Sequence, residues 1–156
     1  MSHEKRVDKH FCLLCIGAKW LREEKENPSL QFFNGWRHIH AGPVFHYSER
    51  PDIFAFNGIA TLCIEVKLSK ASFYNDKTKK CMQPTYQNKM GMYRCYLAPK
   101  GILTHKSIPE GWGLLEWNEH DNSIEVTIPC SKKWNPTEGD IYAIGEFDRY
   151  MDFGRV

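Results

Sequence analysis

No stretch of the 156 residues stays apolar for the roughly 18 positions that a membrane-crossing helix needs. The opening Met1-Ser2-His3-Glu4-Lys5-Arg6 leads into a helical pattern and lacks a secretory signal's apolar core and cleavage site. The sequence therefore reads as a cytosolic chain with no membrane partner. Nucleotide and hydrolase fingerprints are missing too: there is no P-loop, no dinucleotide-binding glycine motif and no Gly-x-Ser-x-Gly elbow. Internal repeats, linkers and low-complexity tracts are absent. The whole of 1–156 is expected to form one domain, long enough to bury a core and too short for two. Six cysteines without a secretion signal read as thiols. Cys12 and Cys15 form a CxxC, but no second pair follows at zinc-finger spacing. Lying within Phe11-Cys12-Leu13-Leu14-Cys15-Ile16, they are expected to be small buried hydrophobes.

Net charge is also lacking, at +2, but the balance hides a strong asymmetry. Residues 66–109 hold nine bases (Lys67, Lys70, Lys77, Lys79, Lys80, Lys89, Arg94, Lys100 and Lys106) and one acid, Asp76. Residues 110–156 hold ten acids and four bases. The middle segment thus carries +8 and the C-terminal one −6. A +8 segment is the footprint of a polyanion site or the solvated face of a helix and its loops, and charge alone leaves both open.

Val7, Phe11, Leu14, Ala18 and Leu21 recur at four- and three-residue steps, predicting an amphipathic helix over about 3–24. Strands are predicted at 44–47, 51–56 and 61–68, with Asn57-Gly58 as the hairpin signal between the last two. A helix over 70–82, stopped by Pro84, precedes a strand at 93–98. Edge strands at 113–117 and 124–128 and a short last helix from Asn135-Pro136 complete the pattern. The order predicts an α/β (α+β) domain with a mixed central sheet.

Alternate strand residues share a face, so Leu62, Ile64, Val66 and Leu68 point into a core and Cys63, Glu65 and Lys67 point away. A two-residue turn at Asn57-Gly58 puts Asp52 opposite Cys63; a loop over 57–60 puts it opposite Glu65. Either register leaves Asp52, Glu65 and Lys67 on one face. Two carboxylates beside an ammonium suit a hard cation such as Mg²⁺ acting on phosphate esters. In that role Lys67 orients the attacking water or stabilises charge on the transition state. The same residues also make an ordinary cross-strand ion pair.

Pro51-Asp52 followed by Glu65-Val66-Lys67 resembles the signature of the PD-(D/E)xK nuclease superfamily. Arg50-Pro51-Asp52-Ile53-Phe54, the segment Ile64-Glu65-Val66-Lys67-Leu68-Ser69-Lys70-Ala71-Ser72-Phe73, and Asp76-Lys77 look like a phage-borne and bacterial branch related to MmcB-type DNA-repair proteins. So do Tyr93-Arg94-Cys95-Tyr96-Leu97-Ala98-Pro99-Lys100-Gly101 and Pro109-Glu110-Gly111-Trp112-Gly113-Leu114-Leu115. The resemblance spans roughly 49–117. It implies a restriction-endonuclease-like αβββαβ core and a Mg²⁺- or Mn²⁺-dependent nuclease acting on DNA. Asp52, Glu65 and the Val66 carbonyl would hold the metal, and Lys67 would be catalytic. Ser69, Asp76 and Lys77 match positions flanking the family site and take supporting roles. Many members add an acid from the first helix or strand. Here His46 and Ser48 stand where a first-strand acid is expected, which leaves Glu4 as the substitute.

Lys70, Lys77, Lys79 and Lys80 are the expected backbone-phosphate contacts, and Tyr74 and Tyr86 the candidate base-stacking rings. Trp112 and Trp117, with Leu114 and Leu115 between them, read as structural. His38 and His40 share a strand face, but no third metal ligand accompanies them. The alternative to a nuclease is a non-catalytic nuclease-fold module that binds nucleic acid or a DNA-repair partner. Many such folds pair as homodimers to act on both strands.

Overall fold

The computed structural model describes residues 3–23, 36, 38–41, 51–76, 90–131 and 134–153. The elements are α1 (His3–Arg22), β1 (His38–Ala41), β2 (Ile53–Phe56), β3 (Thr61–Val66), α2 (Lys70–Asp76), β4 (Tyr93–Pro99), β5 (Gly113–Asn118), β6 (Ser123–Ile128) and α3 (Glu138–Phe153). The expected αβββαβ order is present, extended by a hairpin and a last helix. The six strands lie in chain order in one mixed sheet. β1, β2 and β3 form an antiparallel meander, β3, β4 and β5 run parallel, and β6 returns antiparallel to β5. The strand expected at 44–47 and the second half of the helix expected over 70–82 lie outside the described residues. Among the described residues, no helix is long and apolar enough to cross a membrane.

The β2–β3 connection is the four-residue loop, not the two-residue turn. Asn57 Oδ1 accepts the N–H groups of Ile59 and Ala60 at 3.0 and 2.8 Å, and its own N–H bonds to the Ala60 carbonyl. An asparagine side chain that folds back on its own loop in this way replaces a tight hairpin turn. The resulting register pairs Ile53 with Ile64 and Phe56 with Thr61. One rung further on, Asp52 falls opposite Glu65.

The sheet's pleat sorts two apolar layers. Ile53, Ala55, Leu62, Ile64, Val66, Cys95, Leu97, Leu115 and Trp117 share one core with α1. On the opposite face, Phe73 of α2 packs with Tyr96, Ala98, Trp112 and Leu114, while Ala143 of α3 packs with Phe54 and Met90. Both Trp112 and Trp117 are buried.

The buried stripe of α1 differs from the predicted one. Leu13, Leu14, Gly17, Ala18, Trp20 and Leu21 face the sheet, whereas Phe11 is 64% exposed. Cys12 and Cys15 are exposed as well, which corrects the expectation that they are buried. Steps of three and four residues link 14, 17, 18 and 21, and this stripe leaves 11, 12 and 15 on the outer side of the helix. Gly17 sits at the closest approach, where a Cβ would come within 2.8 Å of both Ile53 Cδ1 and Leu97 Cδ2.

A buried polar clasp fixes α3 to the start of β3. Asp140 Oδ1 accepts the Thr61 hydroxyl at 3.1 Å and the Gly91 N–H at 2.7 Å, while Oδ2 accepts the Thr137 N–H at 3.0 Å. Thr137 Oγ1 accepts the Asp140 N–H in return, forming a reciprocal cap on α3. Gly91 has φ +88°, and a Cβ there would lie 2.5 Å from the Cys63 Cβ. Only glycine lets the chain enter β4 at this point.

Candidate active site at the end of the third strand

The β2–β3 ladder stops where Pro51 is reached, and that interruption builds the site. In this register residues 51 and 66 would form the next hydrogen-bonded pair. Proline has no N–H to complete that rung. That leaves the Val66 carbonyl without a donor from Pro51, while the Val66 N–H donates to Asp52 Oδ2 at 2.8 Å. The same Oδ2 lies 3.7 Å from His10 Nε2 of α1. Burial would push the Asp52 carboxyl up, but His10, the Val66 N–H and the Lys67 charge together hold it below its ordinary value. His10 moves the other way: its approach to Asp52 raises it, against burial and the Lys67 charge.

Lys67 follows β3, and its N–H continues the parallel pairing by donating to the Leu97 carbonyl at 2.9 Å. Its side chain is buried and its ammonium forms an ion pair with Asp76, the last residue of α2. Lys67 and Asp76 are 6% and 3% exposed, so this pair is a core feature and not a surface contact. Ser69 caps the short α2: its hydroxyl accepts the Ser72 N–H at 3.2 Å and its carbonyl accepts the Ser72 hydroxyl at 3.0 Å. The cap holds α2 in the orientation that brings Asp76 back over Lys67.

Glu65 is half-buried on the α2 side, where the Cys63 thiol donates to Oε1 at 3.9 Å. Burial, joined by the charges of Asp76 and Glu65, raises the Tyr96 hydroxyl far above its usual range. Arg94 is fully buried in the same layer. It donates from Nη1 to the Met90 carbonyl at 2.6 Å and stacks its guanidinium 4.6 Å from the Trp112 ring centroid. Trp112 in turn stacks on Tyr96 at 4.7 Å. Such a stack desolvates the arginine less unfavourably than aliphatic side chains would.

The structure thus brings Asp52, the Val66 backbone, Lys67 and Asp76 together around the end of β3. Glu65 stands on the adjacent rung, facing the Tyr96 layer. Ser69 caps α2, and Asp76 is the ion-pair partner of Lys67. Lys70 is exposed on α2, and Tyr74 beside it is 51% exposed with its ring edge-on to the buried Phe73. Lys77, Lys79, Lys80, Tyr86, His46 and Ser48 lie outside the described residues. Glu4 lies within α1, but its side chain is outside them. His38 and His40 occupy β1 opposite Phe56 and Phe54 of β2, and burial lowers His40. Lys67 and Arg94 of the +8 segment are internal, as is its one acid, Asp76, which pairs with Lys67, so burial removes only the Arg94 charge from the segment's net surface charge.

His10 and Arg94 are the residues that sequence reasoning missed. His10 was legible: it lies three and four residues before Leu13 and Leu14, on the buried stripe of α1. Arg94 carried no signal beyond its alternation with Cys95 in a buried strand.

The donor set suits a hard cation. Mg²⁺ accepts one or two protein carboxylates, keeps several waters and takes phosphate oxygens as further ligands. Asp52, Glu65 and the Val66 carbonyl offer oxygen only. Both contacts to Asp52 fall on Oδ2, which leaves Oδ1 for another ligand among the described residues. Those residues contain no cluster of three or more His, Cys, Asp or Glu ready to hold a metal. A Mg²⁺ site of two carboxylates completed by water does not require one.

No family model and no curated protein matches the chain. Among solved structures, it is similar to the SPO1766 protein of unknown function from Silicibacter pomeroyi. That match has a TM-score of 0.59 and 16% identity, covering 92% of this chain and 86% of that one. At this identity the likeness concerns the fold alone.

Proposed function

We propose that the protein is a metal-dependent nuclease that hydrolyses DNA phosphodiester bonds, in phage or bacterial DNA processing or repair. The observation that carries this reading is the broken rung at Pro51. There the Val66 carbonyl loses the donor that proline lacks, and the Val66 N–H holds Asp52 opposite Glu65 in register. The two carboxylates and the Val66 carbonyl would hold Mg²⁺ or Mn²⁺. When bound, the metal would activate a water and neutralise phosphate charge. The Lys67 ammonium is buried against Asp76, and on this reading the pair opens so that the ammonium serves the developing charge on a phosphate. Exposed Lys70 supports contact with the nucleic-acid backbone.

A second reading is favoured by one specific observation: Lys67 is buried against Asp76, so its ammonium reaches a substrate only if that ion pair opens. On that reading the protein is a nuclease-fold module that binds nucleic acid, or a DNA-repair partner, without cutting.

Incubating the full chain with single-stranded, duplex and branched DNA, under Mg²⁺, Mn²⁺ or EDTA, separates the two. The nuclease reading expects metal-dependent cleavage that disappears in Lys67→Ala and in Asp52→Asn. The Asp52 variant leaves the buried ion pair intact, so its inactivity is not a folding failure. Salt-sensitive binding without cutting, on every substrate and metal, establishes the second reading instead.

A further inference from the structure

We propose that the open edge of β6 is a docking site for an extended segment of a protein partner whose residues alternate between apolar and basic. The inference does not depend on the nuclease reading. β6 is the outermost strand of the sheet and, among the described residues, pairs only with β5. The Trp117 carbonyl accepts the Lys100 N–H at 2.9 Å, so the N–H and C=O of Trp117 point toward β4. Backbone groups alternate in direction along a strand, which turns those of Glu116 and Asn118 toward β6. Their register partners Glu125 and Ser123 complete these rungs, and Ile124 and Val126 are left with N–H and C=O facing outward. The irregularity in this ladder falls between Leu114 and Leu115, so the register over 123–126 is unbroken. β6 contains no Pro or Lys, two residues that commonly blunt an exposed edge.

The two faces of that edge differ in what they offer an added strand. On the α1 side, Ile124 and Val126 are part-buried against the main core. Beside them a cavity of about 300 Å³ opens between α1 and the start of β6. Ile16, Trp20 and Ile124 supply its apolar wall, and Lys19, Glu23 and Ser123 its polar one. A strand added about 4.8 Å beyond β6 would set an apolar side chain over this cavity. On the other face, Glu116 and Glu125 are direct cross-strand partners, and like charges in that position repel. Glu116 is answered within the sheet by the Thr127 hydroxyl at 2.7 Å and the Gly101 N–H at 2.8 Å. Glu125 reaches Lys100 at 3.4 Å, with both side chains largely exposed. A basic residue on the added strand would lie next to Glu125 and offset the repulsion.

Charge selects the occupant. Residues 113–131 hold four acids (Glu116, Glu119, Asp121 and Glu125) and no Lys or Arg. A nucleic-acid backbone is disfavoured there, and part of the −6 segment gains a role. A second copy of the chain fits poorly too. The two-fold register that uses Ile124 and Val126 of both copies sets Glu125 directly opposite itself. An alternating apolar and basic strand of another protein matches the open backbone, the cavity and the glutamates together.

The test uses the full chain and, as probe, a short capped peptide of alternating valine and lysine, followed by fluorescence anisotropy and amide hydrogen exchange. The peptide is expected to bind at least about tenfold tighter than the same residues arranged in two blocks, or than a valine–glutamate version. It should slow exchange at the Ile124 and Val126 amides at least about tenfold. Glu125→Lys should weaken the lysine peptide about tenfold. Val126→Pro, which removes an outward N–H and no rung to β5, should do the same. No binding, equal affinity for the two-block peptide, or binding that leaves those two amides unprotected overturns the inference. Protection of the same amides that rises with chain concentration, in the absence of peptide, assigns the edge to a second copy and overturns it as well. The exchange measurement on the unmodified chain needs no variant, so misfolding of Val126→Pro does not blur the outcome.

Discussion

β3 has an aspartate at each end, and the two are opposites. At its start, Asp140 is fully buried and both of its oxygens are filled by Thr61, Gly91 and Thr137. At its end, Asp52 is part-exposed and both of its contacts fall on one oxygen. A buried carboxylate with every lone pair answered is a fastener. A carboxylate that is positioned but left with acceptor capacity toward water is equipped to take a ligand. Residue type does not distinguish them; the partners do.

The largest expected effect lies at the fastener. Asp140→Ala leaves the Gly91 and Thr137 N–H groups and the Thr61 hydroxyl unanswered, and should cost about 4 kcal/mol, since hydrogen bonds to charged groups are worth about 1.5–3 each. Asp52→Asn should cost about 1 kcal/mol or less, as part-exposed substitutions usually do. Urea denaturation of both variants in EDTA measures the contrast; equal costs would break it.

The Lys67–Asp76 pair comes next. Lys67→Met strands the Asp76 carboxylate in the core and should cost about 3 kcal/mol. Adding Asp76→Leu should restore most of that stability, because an apolar pair of similar volume replaces the ions. Cleavage of DNA should stay absent in the double variant. If the single change costs nothing, the pair opens readily and Lys67 is already available to substrate.

The smallest effect is a pH dependence at the ligand-ready end. His10 is raised above 6.5, so its contribution is complete below that value and fades as pH rises through the folded pKa. Asp52 is lowered below 3.8, so its contribution is present above that value and fades as pH falls through the folded pKa. The pair therefore stabilises most between about pH 4 and 6.5. His10→Ala should cost more at pH 5.5 than at pH 8.5, by well under 1 kcal/mol because solvent screens so exposed a pair. Matched urea titrations in EDTA at the two pH values check the sign.

Much of the fold was legible because burial writes a period into the sequence. Leu62, Ile64 and Val66 alternate, Leu14, Ala18 and Leu21 recur by helical turns, and both patterns are realised. What period cannot show is which arc of a helix wins. Phe11 looked like core and is exposed, because Gly17 lets the 13–14, 17–18 and 20–21 side of α1 come nearest the sheet. The Asp52–Glu65–Lys67 motif was visible as text, and the four-residue register did set Asp52 opposite Glu65. Which partner each charge takes was not visible. Asp76 on Lys67 and His10 near Asp52 both depend on where helices dock, and docking is decided by packing between distant segments.

The Asp140 clasp also bears on the order of assembly. It ties residues 79 and 49 positions apart in the chain. The meander β1–β2–β3 and the hairpin β5–β6 join neighbours, so their loops close at low entropic cost and they are expected to form first. The parallel pairing through β4 and the docking of α3 are expected to follow. Contacts absent from the folding transition state leave the folding rate almost untouched and instead govern how fast the native state opens. On that order Asp140, at the opposite end of β3 from Asp52, acts as a timer, setting how long the finished sheet lasts before it lets go.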